Sequence, residues 1–467
     1  MALSQDGKIQ AKVDQTPTLD PALLRRHADQ LSDRNTWSHD ALMAYQRQQL
    51  QSVLQHAVTH SAFYKNTIGP LLDRKRPLSD FPTLSKKTLM ANFDHIVTDP
   101  RLNRKSVEAH LDSSDAGALI LDEYLAIATG GTSGERGVFV YSRLDWLSVM
   151  ANVVRFQRIM GVAPGMRSIG VGAPSPIHIS NRFYAEFRAS QSGVPKLDVT
   201  MPLAYIVENL NAFQPEALVS YPSFIRVLID EQRSGRLRIS PRVIRSAAET
   251  LTQDVRDLVG STWGVAIISG YSSTEVGMMG QECVHAQGVH LADDLAIYEV
   301  ADENNMPVPA GTRGAKILVT TLANKTLPLI RYELTDTVAL AVEPCKCGLP
   351  YTRLASIDGR QAEILTFTTK SGAPIKVHAI TLRSPLIATK GVKQFQLIAG
   401  GGGLEVLIVV APDYDETAVA AKALQALEIE LQSLGTANTK VKVRTVAQIE
   451  RVGSGAKMKL VESPKNG

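Results

Sequence analysis

Apolar residues recur at three- and four-residue spacing through "PALLRRHADQL" and "DALMAYQRQQLQSVLQHAVTHSAFY", which predicts helices over residues 20–65. "PLSDFPTLSKKTLMANF" is a proline-punctuated connection leading into another helix start. From about residue 125 to 340 short β-like runs alternate with helical ones. "VFVYS" precedes "DWLSVMANVVRFQRIMG" and "RSIGVGAP"; then come "ALVSYPS", "FIRVLIDEQRSG", "VIRSAAE", "TQDVRDLVGSTWG" and "VAIISGYSS". Such alternation predicts an α/β architecture with helices covering β-sheets. Near "SIDGRQAEILTF" the pattern changes to β–β–α–β, through "KQFQLIAGGGGLEVLIVVAP", "DETAVAAKALQALEIELQSLG" and "KVKVRTVAQIERV". We expect a large N-terminal domain over 1–358, with 1–65 as a helical arm, and a small mobile α+β domain over 359–467.

Composition narrows the class. The chain has 467 residues, 44% hydrophobic and 21% charged, as expected of a soluble globular protein with two or three domains. The net charge of +4 comes without a long Lys/Arg run, so nucleic acid is not an expected partner. "MALSQDGKIQAKVDQ" lacks the apolar core of a signal peptide, and no run is apolar enough to suggest a membrane span. The three cysteines, Cys283, Cys345 and Cys347, are too few and too odd in number for a disulfide framework. They point to a reducing, cytoplasmic setting.

Two glycine clusters need different readings. Gly400 to Gly403 lie between "FQLI" and "LEVLIVV" with no helix start behind them, the pattern of a hairpin turn. "IATGGTSGERGVFVYS" instead places Thr129, Gly130, Gly131, Thr132, Ser133 and Gly134 between two β-like runs. Exposed backbone N–H groups and hydroxyls at that density form an anion-binding concavity. The order required of a Walker loop is absent. Further along, "ISGYSSTEVGMMGQEC" carries Tyr271, Thr274 and Glu275, and "PLIRYELTDTVAL" carries Arg331 and Asp336. "IDGR" supplies Arg360, and "GAKMKLV" supplies Lys457. Taken singly these have plain alternatives: Arg331 and Asp336 as a surface ion pair, Lys457 as a solvated lysine.

In this order, TGGTSG, GYSSTE, RYELTD, IDGR and GAKMKLV resemble the adenylate-forming enzymes. Through "SYPSFIRVL" and "YSSTEVG" the chain most resembles the phenylacetate–CoA ligase group. The resemblance implies that a small carboxylic acid is activated by ATP to an acyl adenylate, then passed to CoA. It places residues 129–134 around the β- and γ-phosphates, Thr274 at the α-phosphate and Glu275 on Mg²⁺. Asp336 would take the ribose hydroxyls, with Arg360 nearby. Ala247, Ala248 and Glu249 would line the adenine slot, and Tyr271 would stack on the base. Lys457 would neutralise charge between carboxylate and α-phosphate, with Lys459 as its competitor.

Tyr221, Phe224, Ala247, Ser272 and Met278 are candidates for an apolar slot suited to an aryl or arylalkyl acid, with His178 beside them. Cys283, His290, Cys345 and Cys347 could form a Cys₃His structural zinc site, and the resemblance, which falls on "GVH", prefers His290 to His285. Two departures from the family matter. Glu135–Arg136 stands where a lysine is usual, and Ala362 occupies the usual acidic hinge position. The second leaves the acceptor open between CoA, an amine and a carrier-protein thiol. A non-catalytic nucleotide-binding protein is the reading from another class, and a monomer or homodimer is expected.

Overall fold

The computed structural model describes residues 18–113, 117–129, 136–172, 179–190, 196–360, 364–400, 403–437, 439–449 and 461–462. The N-terminal periodicity folds into the helices Pro21–Asp33, His39–His60 and Ala62–Thr67. Asp20 accepts from the Ala22 N–H at 2.9 Å, and Pro21 takes the first helical position, where its missing N–H leaves no bond unmade. Leu24, Leu31, Leu54 and Ala57 from these helices are buried in the largest apolar core. The segment is therefore part of that core. Arg34 and Arg155 both donate to Asp294, at 2.9 and 2.7 Å, and tie the first helix to the body of the protein.

Strands β1 (Tyr124–Ala128) and β2 (Val138–Ser142) pair antiparallel, with Ala128 opposite Val138. Ser142 and Asp145 then form a reciprocal capping box that starts the helix Arg143–Ile159. The alternation that follows gives β3 (Ser168–Gly172), β4 (Lys196–Asp198), β5 (Ala217–Ser220), β6 (Val243–Ser246) and β7 (Ile267–Ser273). These lie parallel in the order β4-β3-β5-β6-β7. Helices Pro222–Arg233 and Gln253–Trp263 cover one face, packing Ile225, Ile229, Val255 and Val259 on Ile244 and Ile267.

The sheet continues with antiparallel β8 (Gly277–Glu282) and β9 (Val289–Leu291). Strands β10 (Ala296–Ala301), β11 (Arg313–Gly314), β12 (Lys316–Thr321), β13 (Tyr332–Leu334), β14 (Asp336–Leu340) and β15 (Arg353–Arg360) follow. Ten strands form one sheet, ordered β11-β14-β15-β9-β8-β7-β6-β5-β3-β4, while β10, β12 and β13 form a smaller one. The α/β architecture expected from the alternation is what the chain adopts.

Past β15 a second apolar cluster gathers Leu365, Leu382, Leu397, Val406 and Leu427. It is built from the strand Ile364–Thr368, the helix Ala379–Ala388, the hairpin Val392–Gly400 and Gly403–Val410, the helix Glu416–Ser433 and the strand Lys440–Thr445. Gly400 pairs with Gly403, so this glycine cluster closes a hairpin. Position 358 falls inside β15, which stays in the large sheet through Arg360. Among the described residues no helix is long and apolar enough to cross a membrane.

Candidate active site

The glycine–hydroxyl loop is flanked by antiparallel strands, as strand–loop–strand order requires. Thr129 closes its neck twice: its N–H donates to the Gly137 carbonyl at 2.9 Å, and its Oγ1 accepts from the Gly137 N–H at 2.8 Å. Gly130, Gly131, Thr132, Ser133, Gly134 and Glu135 lie outside the described residues. Arg136, at the loop's exit, is ion-paired at 2.5 Å to Asp112.

The return strand β2 leads directly to the second motif. Tyr141 is buried, and its hydroxyl donates to the Glu275 carbonyl at 2.8 Å, with the Thr274 carbonyl at 3.3 Å. Burial first, then the Glu275 charge, pushes the Tyr141 phenol well above its ordinary range, so it remains a donor. Thr274 and Glu275 sit in the turn between β7 and β8, and the Glu275 residue is only 8% exposed. Gly277 follows at φ +90°, where an added Cβ would meet Val149 Cγ1 at 2.7 Å, so the turn requires glycine there.

The Tyr271 hydroxyl donates to Asp336 Oδ2 at 2.9 Å. Asp336 opens β14 and pairs across the ladder with Arg360, the last residue of β15. Asp336 is thus held by Tyr271 through its side chain and by Arg360 through the ladder. The Arg331–Asp336 ion pair does not form. Arg331 is 3% exposed and bonds Glu299 at 3.1 Å and the Ser79 and Phe81 carbonyls at 2.8 and 2.5 Å. It fastens the 79–81 segment to the core.

At the end of β6 the chain turns sharply. The Ala247 N–H donates to the Ser220 carbonyl at 3.0 Å, and Ala248 adopts φ +62°. Glu249 accepts from the Ser223 N–H at 3.1 Å and its hydroxyl at 3.0 Å, at the start of the helix Pro222–Arg233. Of the slot candidates, Ser272 and Met278 lie opposite each other across β7 and β8. Tyr221 precedes that helix, and Phe224 packs into the core beneath it with Leu228 and Leu237. His178 and Lys457 lie outside the described residues.

Two residues outside the sequence candidates place polar groups over the parallel sheet. Arg245 of β6 reaches Met278 Sδ at 3.2 Å, and Tyr184 of the helix Ile179–Ser190 lies against Gly170. The signal for Arg245 was a cation inside the β-run "VIRS".

Cys283, His290, Cys345 and Cys347 converge, their ligand atoms all within 4.8 Å of one another. Cys283 Sγ and Cys345 Sγ are 3.7 Å apart, and Cys347 Sγ and His290 Nε2 are 3.4 Å apart. A tetrahedral ion with Zn–S bonds of about 2.3 Å has S···S edges of roughly 3.8 Å, so the spacing fits. Burial, then Arg353, lowers His290 to about 4, leaving the neutral imidazole that ligation needs. Burial pushes the Cys283 thiol up to about 12, which a cation would reverse.

No family model matches the chain. It is 29% identical over 272 residues to phenylacetate-coenzyme A ligase of Thermus thermophilus, a match spanning 55% of this chain and 59% of that protein. It is 23% identical over 340 residues to protein CapK of Staphylococcus aureus, covering 69% of each. In structure it resembles 2-hydroxyisobutyryl-CoA ligase in the postadenylation state with its acyl-AMP, at a TM-score of 0.73 and 20% identity over 92% of this chain and 91% of that one. The chain thus has the fold of the adenylate-forming ligases. In sequence it is similar to phenylacetate–CoA ligase, and the match spans less than two thirds of that relative's length.

Proposed function

We propose that this chain joins a carboxylic acid to CoA in two half-reactions. In the first, a carboxylate oxygen attacks the α-phosphorus of ATP, the bond to the β-phosphate breaks, and pyrophosphate leaves. In the second, the CoA sulfur attacks the acyl carbonyl of the adenylate and AMP departs. The observation that carries this reading is the Tyr141 hydrogen bond to the Glu275 carbonyl at 2.8 Å. It joins the strand returning from the glycine–hydroxyl loop to the turn holding Thr274 and Glu275. A phosphate clasp and an acidic cation ligand standing together is what adenylation needs.

Residues 129–134 clasp the β- and γ-phosphates, and Thr274 donates to the α-phosphate. Glu275 holds Mg²⁺, which offsets phosphate charge when bound. Asp336 accepts from the ribose hydroxyls with Arg360 alongside, Tyr271 stacks on adenine, and Ala247 to Glu249 border the base. Lys457 comes from the 359–467 unit, which swings to present it and then to admit CoA. A Zn²⁺ ion held by Cys283, His290, Cys345 and Cys347 crosslinks the turn after β8 to β9 and the loop before β15. The protein works in the cytoplasm as a monomer or homodimer.

Acid-dependent ATP–pyrophosphate exchange across aryl, arylalkyl and alkyl acids tests the first half-reaction. Thioester formation on adding CoA tests the second. Exchange is expected with at least one acid; none with any acid would overturn the reading.

A further inference from the structure

On the face of the parallel sheet opposite the helices Pro222–Arg233 and Gln253–Trp263, side chains are stripped back. Gly170 of β3 and Gly270 of β7 leave bare backbone on either side of β5 and β6. A Cβ on Gly170 would overlap the Tyr184 hydroxyl, and one on Gly270 would overlap the Arg245 guanidinium. Both polar groups therefore occupy space that glycine vacates. Arg245 is buried at Nε, where it has no hydrogen-bond partner. Among the described residues its one hydrogen bond goes to the weak acceptor Met278 Sδ at 3.2 Å.

This treatment of a cation differs from that given to Arg155 and Arg331. Arg155, 0% exposed, bonds both Asp294 oxygens at 2.7 and 2.9 Å, together with Asn152 and Tyr351. Arg331 is matched by Glu299 and two carbonyls. A guanidinium nitrogen buried without an acceptor is costly, because desolvation removes its water and nothing replaces it. Desolvation indeed lowers Arg245 to about 10, with Tyr184 as the one group opposing it. The residue as a whole is only half-buried, so part of its surface still opens onto free space. That space adjoins Met278 and Gly270, next to Ser272 in the acyl slot.

We propose that Arg245, with Tyr184, receives a second carboxylate on the acyl substrate, so that the acid activated is a dicarboxylic acid. The inference rests on the adenylating reading for the location of the slot. A guanidinium fork matches a carboxylate bidentately, and the phenol adds a third donor. The reacting carboxyl stays at the Thr274–Glu275 end, and the distal one pairs with Arg245. Preorganised donors in a shielded site then select a diacid over its uncharged counterpart.

The test uses the full chain and a panel of malonate through adipate and the three benzenedicarboxylates, each beside its monomethyl ester. Calorimetric binding and ATP–pyrophosphate exchange are read together. At least one diacid is expected to bind about tenfold or more tighter than its own monoester. That preference should vanish in Arg245→Met while ATP binding persists. Arg245→Gln, which keeps hydrogen-bond donors without charge, carries the same expectation should the methionine variant not fold. No diacid preference anywhere in the panel, or one unchanged in the variants, would overturn the proposal. Arg245-dependent diacid binding without exchange would remove the adenylating reading and leave standing only the carboxylate-binding role of Arg245.

Discussion

Tyr271 and Asp336, 65 residues apart in sequence, are held together by a 2.9 Å hydrogen bond from phenol to carboxylate. The bond joins the candidate base-stacking residue to the candidate ribose acceptor and fixes the orientation of both. Tyr271→Phe keeps the ring and removes the donor. Its ATP KM is expected to rise about fivefold with kcat within twofold, the worth of one such bond. Steady-state kinetics at saturating acid would check this; an unchanged KM would show that the bond does not organise the nucleotide site.

Tyr141→Phe should separate the loop's return strand from the Glu275 turn. Losing a buried donor to two carbonyls costs about 1–3 kcal/mol of stability. The adenylation rate should fall by tenfold or more as the two halves of the phosphate site lose register. Pyrophosphate exchange and chemical denaturation on the same preparation would separate the two effects. A stability loss with unaltered exchange would assign Tyr141 a purely structural role.

On the proposed reading Lys457 would act on charge that develops only in the transition state, so Lys457→Ala should abolish acid-dependent exchange while leaving ATP binding intact. Lys459→Ala should retain most of the activity. Reversal of these two outcomes would transfer the role to Lys459.

Protein purified without chelator is expected to contain about one zinc per chain by elemental analysis. Cys347→Ser should reduce that several-fold and lower the melting temperature by several degrees. Zinc absent from the unmodified protein would end the Cys₃His assignment.

Asp293 is expected to make stability depend on pH. Burial is the main cause that raises its carboxyl to about 7, against bonds from Thr352 that lower it. The folded state therefore binds more protons than the unfolded chain between about pH 4 and 7, and stability falls as pH rises through that window. The contribution is on the order of a few kcal/mol and is complete above the folded pKa. Asp293→Asn should flatten this slope in denaturation curves between pH 5 and 8. An equal slope in both proteins would assign the pH dependence elsewhere.

Much of the architecture was legible in the chain because its signals are local. "VFVYS", "IIS" and "ALVS" became strands, and the helices between them kept their apolar spacing. The glycine pair 400 and 403 was readable as a turn for the same reason. What depended on distant pairing was not. Arg331 looked like a surface partner for Asp336, yet a contact with residues 79–81 buries it. The metal-binding residue types were visible, but their meeting depends on Arg353 pairing with His290, which places the Cys345–Cys347 loop beside β9. Arg245 could be seen as a cation within a β-run, but its lack of a counter-ion is a property of the packed structure.

The rung where Asp336 faces Arg360 has a mechanical side as well. Arg360 is the last residue held by the large sheet, and the second apolar core begins at Leu365. Five steps of chain span at most about 18 Å even when fully drawn out. The C-terminal unit is thus on a short leash, and its anchor is the ladder rung shared with Asp336. On the proposed reading, the acceptor for a nucleotide's sugar and the tether of the unit carrying Lys457 share one ladder rung, so a ligand bound at Asp336 would also load that tether.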